Sequence, residues 1–293
     1  MQVLPHVSRV GRRTATALGV LGAALALTAT TAGGATAAPQ PDPRPLNVKP
    51  GQAYMGVGAR IHEGVPAEDP GRGLLAPTDG VQGIDVSHWQ GSINWTSVRN
   101  SGIQFAWMKA TEGTNYKDSR FNTNYPAAHS AGVIRGAYHF ALPNASNGAT
   151  QATYFASNGG GWSRDNLTLP GVLDIEHNPY GAMCYGLSTT QMRTWINDFY
   201  TTYKARTSRD VVIYTTASWW NTCTGNWTGM SAKSPLWVAH WTSAASPTIP
   251  SGFPTWTVWQ YTDAGSVSGV SGNVDRNKFN GSRDRLLALA NNT

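Results

Sequence analysis

The chain is poor in cysteine, in charge and, beyond its first residues, in long apolar runs. Only Cys184 and Cys223 occur in 293 residues, and no Cys-x-x-Cys or His-x-x-x-His pair is present. A metal site is therefore not expected, and no cofactor is required by any motif. Charged residues make up 13% of the chain and nowhere form a Lys/Arg run, which speaks against a nucleic-acid binder. The net charge of +6 is half contributed by Arg9, Arg12 and Arg13. From Asp79 onward, 15 Lys plus Arg stand against 12 Asp plus Glu, a surplus that modestly favours approach to an anionic cell wall. After residue 37 no stretch nears the roughly 20 apolar residues that cross a bilayer. The mature protein is expected not to insert into membranes.

The first 37 residues have the form of a secretory signal: three arginines, the small apolar run Thr14 to Ala32, and a cleavage site at Ala35-Thr36-Ala37. Residues 38–78 change character. Pro39, Pro41, Pro43, Pro45, Pro50, Pro66, Pro70 and Pro77 accompany many glycines, without apolar periodicity. Such a composition is expected to bury little and to act as a linker or removable pro-segment, processed near Asp79. Residues 79–293 form the expected catalytic domain. All twelve tryptophans lie in it, a density suited to stacking on sugars as well as to an ordinary core. In an exported protein the even pair Cys184 and Cys223 is expected to form a disulfide. His139 and His240 sit in apolar runs and read as satisfied core residues.

Period-two runs predict strands at Val81 to Trp89, Ile103 to Thr111, Val133 to Phe140, Pro170 to Asn178 and Asp210 to Thr215. Helices are expected at Asn94 to Ser101, Ser119 to Ala131, Asn144 to Ser157 and Ser188 to Tyr203. The last has Ser188 and Gln191 as a capping box and Met192, Trp195, Ile196 and Phe199 on one side. Then the rhythm changes. Strands at Leu236 to Trp241, Trp256 to Tyr261 and Val270 to Val274 are joined by loops, and Ser282 to Ala290 is a final helix. Strand–helix alternation implies a parallel sheet. Eight strands, the first five each followed by a helix or helical turn and the last three not, predict an α/β single-domain barrel of the (β/α)5(β)3 type.

The run PGVLDIEHN at Pro170 to Asn178 carries the chemistry. Alternation places Asp174 and Glu176 on one face and Leu173 and Ile175 on the other. Two crowded carboxylates hold protons unequally, as an acid and a charged stabiliser do in sugar hydrolysis. Two acids at a solvated strand end would read the same way in isolation. Asp85, Glu112 and Asp275, however, also fall near predicted strand ends, and barrels of this kind place their active sites there.

Those same residues resemble glycoside hydrolase family 25. The matching runs are GIDVSHWQG at Gly83 to Gly91, KATEG at Lys109 to Gly113, RGAYHF at Arg135 to Phe140, LDIEHN at Leu173 to Asn178, WQY at Trp259 to Tyr261 and VDRN at Val274 to Asn277. The family comprises secreted bacterial muramidases of the Chalaropsis type, including relatives that act on O-acetylated peptidoglycan. The resemblance spans about Asp79 to Thr293 and implies a flattened barrel of eight strands that cleaves peptidoglycan glycan strands between N-acetylmuramic acid and N-acetylglucosamine. It implies Glu176 as general acid, Asp174 as partner carboxylate, and Asp85 and Asp275 as further active-site acids. It also implies the Cys184–Cys223 disulfide. Glu112 is expected to be supporting. Tyr138, Tyr214, Trp241 and Gln260 are candidate substrate contacts, with core packing as the competing reading.

Asp174 has two possible roles, nucleophile or orienter of the substrate's 2-acetamido group, and same-strand placement beside Glu176 favours the second. A chitinase-like hydrolase and a non-catalytic glycan-binding barrel are the alternative functions. A secreted, extracellular monomer is expected.

Overall fold

The computed structural model describes residues 44–63 and 80–293. The expected signal peptide and the expected processing point near Asp79 lie outside the described residues. In chain order the elements are α1 (Val57–His62), β1 (Val81–Val86), α2 (Trp95–Asn100), β2 (Phe105–Glu112), β3 (Tyr116–Lys117), α3 (Phe121–Ser130), β4 (Ile134–Phe140) and α4 (Gly148–Ser157). There follow β5 (Val172–Asp174), α5 (Thr189–Thr207), β6 (Val212–Thr216), α6 (Ala217–Thr224), β7 (Leu236–Ala239), β8 (Val258–Gly265), β9 (Val274–Phe279) and α7 (Arg283–Asn291).

Eight strands close a barrel in the order β1-β9-β8-β7-β6-β5-β4-β2, with β2 returning to β1, and β3 is an extra strand on β2. The expected strand–helix order is borne out for the first five barrel strands, each followed by a helix; β7 and β8 are joined by loops, and β9 is followed by the closing helix α7. One strand differs. The eighth is Val274–Phe279, beyond the expected Val270 to Val274, and it runs antiparallel to both β8 and β1. Its sequence, VDRNKF, is mostly polar, so apolar periodicity passes over it. Ladder hydrogen bonds and inward polar side chains hold it in place.

Alternation along the strands sorts side chains into two layers. Val172, Tyr138, Trp107, Val212, Tyr214 and Trp237 fill the barrel interior. Leu173, Ile175, Ile213 and Val238 face outward and pack under α4, α5 and α6. Helix α5 is the clearest local success. Ser188 and Gln191 form the capping box, and the four expected residues are buried together with Tyr200 and Tyr203. Cys184 and Cys223 are disulfide-bonded, tying the loop before α5 to α6.

Residues 44–63 depart from expectation. Far from burying little, Ala53, Tyr54, Met55 and Val57 are each at most 2% exposed. No periodicity was needed, because the segment lies in a cleft the barrel already provides. It offers that cleft backbone N–H groups as much as side chains.

Candidate active site

The site is built at the end of the barrel where the parallel strands finish. Asp174 is the last residue of β5, opposite Phe140 on β4 and Tyr214 on β6. The chain keeps its alternation for two more residues, since the Ile175 N–H donates to the Tyr214 carbonyl at 3.0 Å and Ile175 packs in the outer layer. Glu176 therefore returns to the side of Asp174, as the sequence pattern requires. Both are fully buried.

Their surroundings differ. Glu176 accepts from the backbone N–H of Gly56 at 2.7 Å, Gly58 at 2.9 Å and Ala59 at 3.3 Å. Among the described residues, neither oxygen of Asp174 meets an amide, amine or hydroxyl donor; its polar neighbour is the Glu176 carboxyl. Burial, then the charge of Glu176, pushes Asp174 well above the usual carboxylate range. Burial also raises Glu176, to about 8, against the pull of the three backbone donors. The two titrate as a pair sharing a proton.

The strand-crossing pair Asp85 and Asp275 stand opposite each other on β1 and β9. Because β9 is antiparallel, its beginning lies at the same end as the finish of β1, which puts Asp275 at the mouth although it starts its strand. Asp85 accepts from Gln260 at 2.9 Å and Asn277 at 2.8 Å. Burial nonetheless raises it to about 6, these hydrogen bonds opposing the rise. Asp275 receives a two-pronged contact from Arg44, at 2.7 and 2.6 Å. Glu112, at the end of β2, pairs with Lys109 at 2.6 Å and accepts from Tyr180 at 2.7 Å.

All five acids thus share one mouth, and the candidate substrate contacts line it. Tyr214 donates to Gln260 at 2.8 Å and Trp241 donates to the same oxygen at 3.0 Å. Tyr138 is buried beside Met55. Tyr138, Tyr214 and Gln260 are almost fully buried, so with residues 44–63 in place they contact that segment and the core.

Sequence reasoning missed several members of the mouth. Asn277, two residues beyond Asp275 on β9, bonds both Asp85 and Trp237; simple alternation from Asp275 would have found it. Lys109 was hidden by a β-bulge between Lys109 and Thr111, which brings two residues at odd spacing to one side. His177, Thr216 and Ser218 gather the Glu63 carboxylate, with His177 at 2.8 Å and Thr216 at 2.5 Å. No local signal announced that cluster. His139 is the satisfied core residue expected, bonded to Thr111 at 2.7 Å and Gln151 at 2.9 Å. Among the described residues no His/Cys/Asp/Glu group has a metal-holding arrangement, and no helix is long and apolar enough to cross a membrane.

Known proteins carry the same barrel. The sequence profile described as Glycosyl hydrolases family 25 matches residues 84–270. Lysozyme M1 of Streptomyces globisporus is 68% identical over 298 aligned residues, covering 100% of both chains. The N,O-diacetylmuramidase of Chalaropsis sp is 43% identical, over 72% of this chain and 99% of the relative. Among solved structures, the bacterial lysozyme from Streptomyces coelicolor superposes with a TM-score of 0.73 at 78% identity, over 74% of this chain and 99% of its own.

Proposed function

The chain belongs to glycosyl hydrolase family 25, and from that premise we propose that its barrel is a muramidase in which Glu176 protonates the glycosidic oxygen and Asp174 assists at the sugar. It is a lysozyme-type peptidoglycan hydrolase. The bond cut is the β-1,4 link between N-acetylmuramic acid and N-acetylglucosamine. The observation that carries the role assignment is the buried Asp174–Glu176 pair, two inward positions apart at the mouth. A glycosidase needs a proton for the leaving oxygen and negative charge beside an oxocarbenium-like ring. Glu176, with its carboxyl raised by burial, holds a proton near neutrality and supplies the first.

Asp174 supplies the second. Among the described residues no amide, amine or hydroxyl donates to its oxygens, and the N–H of a 2-acetamido group is a donor of the right kind. The favoured route has Asp174 hold that N–H while the acetamido oxygen attacks C1 and Glu176 protonates the leaving sugar. Water then opens the cyclic intermediate, with its proton returning to Glu176. Asp85, held by Gln260 and Asn277, and Asp275 add negative potential around the ring. The enzyme works outside the cell as a monomer, a setting supported by the Cys184–Cys223 disulfide.

Mass spectrometry of fragments released from purified cell walls tests the reaction. Muramic acid at the new reducing ends is the expected result; N-acetylglucosamine there would assign a chitinase-like cut. A trapped sugar ester on Asp174 would replace the acetamido route by direct attack.

A further inference from the structure

Residues 44–63 occupy the mouth as a ligand would. Besides the three N–H bonds to Glu176, the Gly51 N–H donates to Glu112 at 2.7 Å, and Lys109 donates to the Ala53 carbonyl at 2.5 Å. Arg44 clamps Asp275 from the side. Met55 enters the barrel interior beside Tyr138 and Tyr214. Gly56 lies against Trp241, Tyr214 and Gln260 so closely that an added Cβ would come within 2.8, 3.1 and 3.3 Å of them. Every candidate substrate contact is thus covered by the same short stretch of chain, which leaves no room for a sugar at Glu176.

The fit depends on glycine. A Cβ on Gly58 would sit 2.4 Å from the His177 carbonyl oxygen and 2.9 Å from the Glu176 carboxylate. The backbone there is ordinary helix, so alanine is acceptable everywhere except in the docked position.

We propose that residues 44–63 are a tethered inhibitor that seals the muramidase cleft until the chain is cut between Glu63 and Val81. An endopeptidase adds water across one peptide bond, leaving a new carboxylate on the segment and a new amine on the barrel. The segment, no longer tethered, then loses its high effective concentration and diffuses away. The inference rests on the muramidase reading of the same site. Inhibition is by exclusion: the segment fills the place of the sugar and engages both oxygens of Glu176.

The barrel stands as a complete unit in a solved relative. The S. coelicolor lysozyme is matched over 99% of its length by 74% of this chain, about the extent of Gly80 to Thr293.

Wall-clearing rates are compared for the secreted uncut chain, the same preparation after limited proteolysis, and uncut Gly58→Ala. A segment docked ~99% of the time lowers the rate about 100-fold, so both the cut chain and Gly58→Ala should clear walls far faster than the uncut chain. Arg44→Gln should give a smaller rise and substitutes for Gly58→Ala if that variant is not secreted. Amide exchange at Gly56, Gly58 and Ala59 should be slow in the uncut wild type and fast in Gly58→Ala. Equal rates for cut and uncut chains would overturn the inhibitor. So would fast exchange at those amides in the uncut wild type. Inactivity of every form, with slow exchange intact, would instead overturn the muramidase reading on which the inhibitor depends.

Discussion

At the floor of the barrel, helix α7 turns Leu286 and Ala290 into the interior beside Val81, Phe105 and Phe279. At the mouth, residues 44–63 turn Met55 into the interior, pack Val48, Ala53, Tyr54 and Val57 against Phe140, and bond carboxylates through backbone N–H groups and Arg44. Both ends are closed by a segment of the same chain, but by different forces. The floor is sealed by apolar burial, which has no direction and no aqueous competitor. The mouth adds to its apolar packing a set of hydrogen bonds to acids, which water can replace once the segment leaves. A closure of the first kind belongs to the fold. One of the second kind can be taken away.

The largest effect separating the two ends is chemical. In the cut enzyme, Glu176→Gln should lower wall clearing by about 10²–10⁴-fold, the usual worth of a positioned acid, while leaving the circular dichroism spectrum unchanged. Equal clearing by variant and wild type would remove Glu176 from the reaction. At the floor, Leu286→Ala should cost about 2–5 kcal/mol of stability by leaving a cavity. It should lower the thermal midpoint of cut and uncut chains alike, with kcat preserved in the folded fraction. A lowered kcat would show that the ends are coupled.

Charge burial makes the mouth sensitive to pH in a way the floor is not. Asp85 has a carboxyl raised from 3.8 to about 6, so the folded state holds its proton more tightly than the unfolded chain does. Its stabilising contribution is present at about pH 4 and lost as pH rises through 6, amounting to about 3 kcal/mol over the two-unit shift. Asp85→Asn cannot ionise. Its advantage in thermal midpoint over wild type should grow from pH 4 to 6 and then level off, and a constant difference would show that Asp85 is not buried as a charge. The smallest effect is local. Ser282 caps α7 through the Arg285 N–H, and Ser282→Ala should cost ~1 kcal/mol, measurable by urea unfolding, with no change in activity.

Local periodicity told most of the barrel. Helix α5 and the strands at Val81, Ile134 and Val212 were legible because burying one face of a helix or strand writes a pattern of fixed period. The pair Asp174 and Glu176 was legible for the same reason. Strand β9 was placed several residues early because its pairing is held by backbone bonds and inward polar groups, which leave no apolar trace. Lys109 was invisible because a bulge changes which way a side chain points without changing the composition around it.

What the amino-acid sequence determined by itself was therefore the barrel, its capped helices, and the strand end that carries two acids. These are set by interactions between near neighbours, or by alternation that every strand obeys. Only the tertiary structure decided which groups meet at the mouth: Asp85 with Asn277 and Gln260, and Glu176 with Gly56, Gly58 and Ala59, more than a hundred residues away. A glycine-rich stretch looks structureless in sequence because its contribution is backbone N–H, which every residue but proline carries. Whether those donors face water or a carboxylate is settled by the shape of the cleft they enter.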